Sequence, residues 1–543
     1  MIRAKLLLAC IALACSPVSA AEEPIDYEMV GKIMDEGFNR SHVMDTLYHL
    51  TDVIGPRLTN SPGMRQAADW TRGEFDSYGL DKAELEYFPF GRGWSYDTIT
   101  VHMTAPRRRQ LSAMPIAWHP GTDGELEAEV FLAPIESKKD LEKYAGKLEG
   151  KIVLVSKARE QDEPATPVFT RYDDDQLAQI EVFPIPDQPT KDFGDYAKRM
   201  ELYKKRLAFL EAEGALAIVQ RSRKEAGLLA AEGYNYQVDE TPGLPAISMA
   251  SEDYDRLVRL ADRDEPVKLS IDVKAQFHDE NHNGQNVLAD IRGRGLRAEV
   301  VMAGAHLDSW FMADGAVDNA AGSAVVMEAA RILSALDAKP KRTIRFALWD
   351  GEEQALIGSM YHVEKHYAFR PDSLEGDDLP ASSRWMWLRA AWPITKRANY
   401  ERLSAYFNLD NGSGRIRGIY GEGNPALQPI FERWLEPFNE MGAATVVLQH
   451  TSGTDHLPFQ VMGLPGFQFI QDPLDYASRL HHSDIDTASH VYQKDLQQAA
   501  IIMASFLWHA ANRDERLPRM PMPTKPNYPP VKKEDAAEEE AAD

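Results

Sequence analysis

The length, composition and charge of the chain limit what it can be. It has 543 residues, of which 44% are hydrophobic and 27% are charged, and its formal net charge is −24. This length predicts two or three domains with a buried core, and the ordinary composition excludes wholesale disorder. The negative charge excludes nucleic acid as the main partner. No apolar run reaches the roughly 18 residues of a membrane span, so no integral membrane segment is expected.

The first twenty residues have the pattern of a secretory signal peptide. A basic region with Arg3 and Lys5 precedes an apolar stretch and a small-residue site that ends at Ala20, which is the arrangement typical of export. Both cysteines, Cys10 and Cys15, fall in this segment, so no disulfide is expected after cleavage. We therefore expect an exported protein, periplasmic or secreted. The short apolar stretch disfavours lipoprotein anchoring at Cys10.

The rest of the chain divides into segments with different patterns. Residues 27–85 have helical periodicity, whereas residues 123–275 carry short β-rich runs around one helical stretch, which predicts an inserted domain. The predicted divisions are a signal peptide, the N-terminal part of the main domain, the insert, the C-terminal part of the main domain and a disordered proline-rich and acidic tail: residues 1–20, 21–122, 123–275, 276–515 and 516–543.

Strand-like and helix-like runs alternate after the insert. This alternation predicts an α/β fold with a mostly parallel sheet flanked by helices. The predicted strands are Val287–Ile291, Val300–Ala305, Thr343–Trp349, Ala405–Leu409, Val446–Leu448 and Gly466–Ile470. The predicted helices are Ala320–Leu336, Leu356–His366, Ala426–Met441 and Leu496–Ala511.

Acidic and histidine side chains follow several of these strands or begin the next helix. They are His306, Asp308, Asp318, Glu352, Glu353, Asp410, His481 and His482. Ligands of open α/β sheets bind at the carboxyl ends of the strands, so we expect these groups to converge. So many buried carboxylates would repel one another without cations among them. Mixed imidazole and carboxylate ligands favour Zn²⁺, with Co²⁺ or Mn²⁺ as substitutes.

The order of these motifs resembles the co-catalytic di-zinc aminopeptidase family. The matching segments are His306–Trp310, Gly315–Asn319, Leu348–Gln354, Asn408–Asp410, Gly453–Asp455 and His481–Thr487. The short step from His306 to Asp318 and the doubled histidine look most like the carboxypeptidase Q (plasma glutamate carboxypeptidase) branch. The insert resembles a protease-associated domain through Gly150–Val155 and Glu213–Ala215. The resemblance covers about residues 40–510 and implies the zinc aminopeptidase fold with a β-rich insert.

The resemblance also implies a metal site with two Zn²⁺ ions per chain. Asp318 would bridge the two ions, His306 and Asp410 would complete one site, and Glu353 and His482 would complete the other. A bridging carboxylate with two further ligands for each ion is the arrangement that a two-metal hydrolase needs.

The resemblance assigns roles to two further carboxylates and bears on which of two adjacent histidines is the last metal ligand. Glu352 would be the general base, and Asp308 would orient the ring of His306. His481 and His482 both remain candidates for the last ligand, and the pattern His-Ser-x-x-Asp-Thr favours His482.

These expectations lead to an exported zinc exopeptidase that hydrolyses the N-terminal peptide bond of short peptides or dipeptides. The reaction would use a two-metal activated water with Glu352 as general base. The alternative is a carboxypeptidase of the glutamate-carboxypeptidase type, which needs a basic pocket for which Arg415 and Arg417 are candidates. A non-catalytic receptor or scaffold and a cyclase are disfavoured because the ligand set is complete. Short peptides are the expected partners, and a homodimer is one assembly left open.

Two other features have less specific interpretations. His362 and His366 lie four residues apart on a predicted helix, but the segment does not have the metalloprotease order His-Glu-x-x-His, so we interpret it as an exposed helix face. Residues 370–400 lengthen the stretch between Glu353 and Asp410 and contain three tryptophans in residues 385–392. Such clusters favour a core or oligomer contact over a substrate lid.

Overall fold

The computed structural model describes residues 23–159, 167–183, 194–263, 265–369, 394–451 and 453–522. The predicted signal peptide, the tryptophans of residues 385–392 and the acidic residues 533–540 lie outside the described residues. Among the helices that the structure does describe, none combines the length and the apolar character that crossing a membrane would require.

Strands and helices alternate along most of the described chain. The strands are β1 (Asp81–Pro89), β2 (Gly93–Ala105), β3 (Arg109–Gln110), β4 (Ala113–Pro115), β5 (Leu126–Leu132), β6 (Ile152–Leu154), β7 (Ala217–Arg221), β8 (Ala246–Met249), β9 (Lys268–His278), β10 (Asn283–Ile291), β11 (Leu296–His306), β12 (Arg342–Trp349), β13 (Ala368–Phe369), β14 (Thr395–Lys396), β15 (Leu403–Asn408), β16 (Ile416–Tyr420), β17 (Thr445–Val447) and β18 (Gly466–Gln471). The α-helices are α1 (Tyr27–Asn39), α2 (Val43–Tyr48), α3 (Pro62–Ser77), α4 (Lys138–Tyr144), α5 (Asp174–Glu181), α6 (Gly194–Ala212), α7 (Ser251–Ala261), α8 (Ala321–Ala335), α9 (Ile357–His366), α10 (Gln428–Leu435), α11 (Leu457–Val461) and α12 (Gln493–Asn512).

The first of two large sheets has the strand order β1-β10-β12-β11-β15-β18-β16-β17. Its centre is parallel, since β11 pairs in parallel with both β12 and β15, and β15 pairs in parallel with β18. The antiparallel pairs lie towards its two ends, between β1 and β10, β10 and β12, and β16 and β18. The sequence prediction of an α/β fold with a mostly parallel sheet is confirmed.

Helices cover this sheet on both faces. Alternate residues of β10 and β11, such as Val287 and Val301, pack into one core with helices α1, α2, α3, α8, α10 and α12. Their neighbours Leu288 and Met302 point into a second core with residues of α9 and α11. A central strand is mostly apolar where both of its faces are buried, which explains why the runs Val300–Ala305 and Ala405–Leu409 predict strands β11 and β15.

The second sheet has the strand order β3-β2-β9-β5-β6-β7-β8-β4. Its longest pairing joins β2 and β9 in antiparallel register, from Gly93 opposite His278 to Ala105 opposite Lys268. Because β2 precedes residue 123, this sheet begins upstream of the predicted insert boundary. The insert of residues 123–275 and its protease-associated character stay predictions.

Strand β1 was not predicted, because its first residues fall in the segment 27–85, which has helical periodicity. The helices end with α3 at Ser77, and β1 begins at Asp81. This strand carries charged side chains and is largely exposed, as is common for a strand at the edge of a sheet. Its pairing with β10, rather than a local apolar pattern, makes it a strand.

Acid should weaken this fold through His119. The ring is 1% exposed; its Nδ1 lies 2.8 Å from the carbonyl oxygen of Leu244 and its Nε2 lies 3.1 Å from the Tyr203 hydroxyl. Burial lowers the pKa of His119 to about 4, against about 6.5 in an unfolded chain. His119 should therefore not lower the free energy of unfolding above pH 6.5. As the pH falls from 6.5 towards 4, the free energy of unfolding should decrease, by about 2 kcal/mol at pH 5.

Urea unfolding of the wild type and of His119→Gln at pH 7 and pH 5 measures this effect. The variant should lose less stability than the wild type between the two pH values. An identical loss in both proteins would contradict the role of His119.

Candidate active site

The predicted ligands converge at the carboxyl edge of the first sheet. His306 is the last residue of β11, Glu353 lies just after β12, and Asp410 lies just after β15. Asp318 lies in the helical turn Ala316–Ala320 that leads into α8, and His482 lies in the loop after β18. The connections between sheet strands therefore bring together residues that are up to 176 positions apart in the chain.

One group of ligand atoms surrounds the Nε2 atom of His306. This atom lies 3.3 Å from Asp318 Oδ1 and 3.5 Å from Asp410 Oδ2. All three side chains are buried, and their ligand atoms lie within 4.8 Å of one another. These distances leave room for one ion among the three atoms.

A second group surrounds the Nε2 atom of His482. This atom lies 2.9 Å from Glu353 Oε2 and 3.5 Å from Asp318 Oδ2. Asp318 therefore directs one carboxylate oxygen towards His306 and the other towards His482. Its carboxylate is shared by the two groups.

His481 lies farther from this centre than His482. Its Nε2 atom is 3.9 Å from Asp318 Oδ2, and its side chain is 38% exposed. His481, His482 and Asp318 also form a group of candidate ligand atoms within 4.8 Å. The additional short contact to Glu353 favours His482 over His481 as the ligand.

The chemistry of these atoms fits a metal. His306 Nε2, Asp318 Oδ2 and Glu353 Oε1 are buried, and none has a hydrogen-bond partner among the described residues. Buried polar atoms normally have a partner, and a cation would supply one for each. Burial raises the pKa of Glu353 to about 7, which reflects the cost of an ionised carboxylate here without a cation. Imidazole and carboxylate together suit zinc.

The carboxylate of Asp308 holds the turn that carries Glu352 and Glu353. It accepts the backbone N–H groups of Glu352 and Glu353 at 3.2 and 3.3 Å, and the hydroxyl of Thr59 at 3.1 Å. The Nδ1 of His306 donates to the main-chain carbonyl of Asp308 at 2.9 Å and lies 3.6 Å from its carboxylate. Asp308 thus contacts His306 mainly through its backbone.

Comparison with known proteins relates this part of the chain to one family of peptidases. Residues 286–507, which include the five predicted ligands, match the family model described as Peptidase family M28. This match spans about two fifths of the chain. Carboxypeptidase Q from Rattus norvegicus is 26% identical over 511 residues, with 92% of both chains covered. Aminopeptidase YwaD from Bacillus subtilis is 21% identical over 483 residues, covering 88% of this chain and 86% of that protein.

Solved structures share the fold. A peptidase M28 precursor from Shewanella amazonensis is 23% identical and has a TM-score of 0.62, with 92% of this chain and 99% of that chain covered. BSAP, a zinc aminopeptidase from Bacillus subtilis, is 20% identical with a TM-score of 0.55, covering 87% and 95%. The predicted family resemblance is confirmed, and the chain is a metallo-exopeptidase. We call His306, Asp318, Glu353, Asp410 and His482 the M28 centre.

Asp486 supports the M28 centre without contacting a predicted ligand atom. Its two carboxylate oxygens accept the backbone N–H groups of Val317 and Asp318 at 2.7 and 3.0 Å. These hydrogen bonds fix the turn that presents Asp318. Asp486 is the aspartate of the pattern His-Ser-x-x-Asp-Thr. That pattern favoured His482 as a ligand, but it was not used to predict a role for Asp486.

Arg57 connects the loops around the M28 centre. Its fully buried guanidinium donates to the carbonyl oxygens of Leu307, Asp314 and Gly315 at 2.7 to 2.8 Å. These carbonyls belong to the segment between His306 and Asp318. Arg57 lies in the segment Ile54–Arg57, which resembles the opening of the family, but its role depends on contacts that only the fold provides.

Glu232 reaches the M28 centre from the region of the second sheet. Its Oε1 atom accepts from the Nδ1 of His482 at 3.1 Å, and Arg223 pairs with the same carboxylate. A carboxylate on the far nitrogen of a metal-binding imidazole fixes the orientation and the tautomer of the ring. No local pattern marks Glu232, which lies 250 residues before its partner.

The interpretation of His362 and His366 as an exposed helix face is wrong. His362 is completely buried, and both rings contact Glu86 of β1. Pairing of β1 at the edge of the sheet brings Glu86 over α9, which the sequence pattern of α9 alone does not reveal.

Replacing Glu232 by Gln should weaken zinc binding about 10–100-fold, because the ring of His482 would lose the carboxylate that orients it. Competition with a chelator measures the affinity. Glu225→Gln is a matched control from the same segment, since Glu225 is about half exposed and pairs with Arg159. Equal zinc affinities in both variants would contradict the role of Glu232.

Proposed function

We propose that this protein is an exported zinc exopeptidase that removes the N-terminal residue of short peptides or splits dipeptides. The M28 domain supports the reaction class. The observation that carries the proposal is the position of Asp318 between His306 and His482, with one oxygen directed at each. The signal-peptide pattern of residues 1–20 supports export.

The M28 centre fits two Zn²⁺ ions. His306 and Asp410 would hold one ion, Glu353 and His482 would hold the other, and Asp318 would bridge them. Zinc, when bound, supplies a Lewis acid that polarises the scissile carbonyl and makes water easier to ionise.

Glu352 is the proposed general base. Its side chain is 9% exposed, and its backbone N–H is held by Asp308. Burial raises the pKa of Glu352 well above its usual range, which suits a carboxylate that takes a proton from water and then returns it to the leaving amine. Asp308 keeps this carboxylate beside the reacting bond by anchoring its turn.

Apolar side chains lie beside the proposed ligands. Trp310 and Met312 line the same small cavity as Asp318, Glu353 and His482, and the ring of Trp310 lies 5.9 Å from that of His482. This apolar wall favours an uncharged, apolar side chain on the substrate residue next to the metal. The surrounding carboxylates suit the positive charge of a free α-amine.

The candidate basic pocket of the alternative function is occupied by an internal carboxylate. Arg415 and Arg417 both pair with the buried Asp472, at 3.2 and 2.9 Å, and Arg171 pairs with it as well. These groups serve the packing of the fold rather than the binding of an acidic C-terminal residue. The contacts therefore favour aminopeptidase or dipeptidase action over a glutamate-carboxypeptidase type.

Replacing Glu352 by Gln should lower kcat at least about 100-fold, because an amide cannot accept the proton from water. The metal content, measured by mass spectrometry, should stay at the wild-type value. Glu432→Gln, on the exposed side of α10, is the matched control and should keep the wild-type rate. A wild-type rate for Glu352→Gln would show that another group is the base.

A peptide panel tests the proposed substrate class. Dipeptides and tripeptides are compared with free and with acetylated N-termini, and with free and with amidated C-termini, using the zinc-loaded protein. We expect hydrolysis only of peptides with a free amine, since the carboxylates of the site bind the ammonium group. Equal hydrolysis of acetylated peptides would contradict the proposal and favour the carboxypeptidase alternative. Loss of hydrolysis on acetylation and on amidation alike would limit the activity to dipeptidase action.

A further inference from the structure

Glu86, His362 and His366 form a compact cluster, called here the distal cluster, outside the M28 centre. Glu86 Oε2 lies 2.8 Å from His362 Nδ1, and Glu86 Oε1 lies 2.6 Å from His366 Nε2. The two imidazole centroids are 4.5 Å apart, and one ligand atom of each residue lies within 4.8 Å of the others. The two histidines lie one helical turn apart on α9, which is the spacing that lets two side chains of a helix bind one ion.

The side chains of the distal cluster suit a metal. The Nδ1 atom of His362 and the Nε2 atom of His366 both face the carboxylate of Glu86. The cluster thus offers one carboxylate and two imidazoles, the donor set of many zinc sites.

We propose that Glu86, His362 and His366 bind a further Zn²⁺ ion, with water as the remaining ligand on the side of His366. The side chain of His366 is 31% exposed, which gives the ion and the water a path to the cluster. Ligand bonds of about 2.0–2.1 Å in tetrahedral geometry place donor atoms roughly 3.3 Å apart. The present contacts of 2.6 and 2.8 Å need to open by less than about 1 Å.

The ion would connect strand β1 with helix α9, which follows the turn that carries Glu352 and Glu353. Glu86 lies on β1, at the edge of the first sheet, and both histidines lie on α9. Helix α9 begins directly after the turn with Glu352 and Glu353, and the N–H of Gly358 donates to Asp350 in that turn at 3.1 Å. Zinc binding would therefore stabilise the helix that follows the proposed base. This inference does not depend on the proposed peptidase reaction.

Lys365 competes with the ion for Glu86. Its Nζ atom lies 3.2 Å from Glu86 Oε1, and its side chain is 45% exposed, so it can move into solvent when a cation binds. Removing this positive charge should strengthen binding at the distal cluster. The variant Lys365→Gln therefore provides a test in the opposite direction from the loss of a ligand.

Metal stoichiometry tests the proposal. The full chain and its variants are equilibrated with zinc, freed of unbound metal and analysed by mass spectrometry. We expect the wild type to hold one more zinc ion per chain than His366→Gln, and Lys365→Gln to bind this ion more tightly in chelator competition. Equal zinc content in the wild type and His366→Gln would overturn the proposal and leave the distal cluster as hydrogen bonds only.

Two further measurements distinguish loss of the distal zinc ion from misfolding of the variant and from loss of metal at the M28 centre. Circular dichroism of His366→Gln in chelator should match that of the wild type, and Glu86→Gln repeats the test from the strand side. In the Asp318→Ala background, the M28 centre should lose metal while the difference caused by His366→Gln persists. Absence of peptidase activity in the zinc-loaded wild type, with that difference intact, would contradict the proposed function alone. A difference that vanishes with Asp318 would overturn the distal site.

Discussion

Crowding of buried carboxylates at one sheet edge is the constraint on which the rest of the site depends. Asp318, Glu353 and Asp410 lie within a few ångströms of two imidazoles, where their negative charges repel and water is largely excluded. Bound cations would relieve this repulsion. In the proposed two-metal site, the shared carboxylate of Asp318 would set the separation of the two metal positions.

The surrounding structure holds these charges in place through main-chain hydrogen bonds. Asp308 binds the two N–H groups of the Glu352–Glu353 turn, Asp486 binds those of Val317 and Asp318, and Arg57 binds carbonyls of the connecting loop. Each buried charge is satisfied by several fixed dipoles, which keeps the ligands preorganised before metal binds. The second sheet contributes through Glu232, so the two parts of the molecule meet at His482.

The same electrostatic reasoning connects the M28 centre with the distal cluster. In both places a buried carboxylate faces imidazole rings on neighbouring elements, and in both the donor set suits zinc. The two differ in one respect. Glu86 has a nearby ammonium group in Lys365, whereas the proposed ligands of the M28 centre would be neutralised by metal. A buried carboxylate that is paired with a cationic side chain is neutralised without metal. Metal at the distal cluster would therefore add stability, whereas metal at the M28 centre would be essential.

The sequence by itself predicted the α/β fold, and it predicted the five residues that the structure brings together in the M28 centre. Central strands such as β11 and β15 are mostly apolar where both of their faces are buried. Ligands lie at the carboxyl ends of such strands, where short motifs mark them. Only the tertiary structure decided the edge strand β1, the contact of Glu232 with His482, the burial of His362 and the pairing of Arg417 with Asp472. These features depend on contacts between residues far apart in the chain, and a local pattern of polarity carries no information about which distant partner a charged side chain will meet.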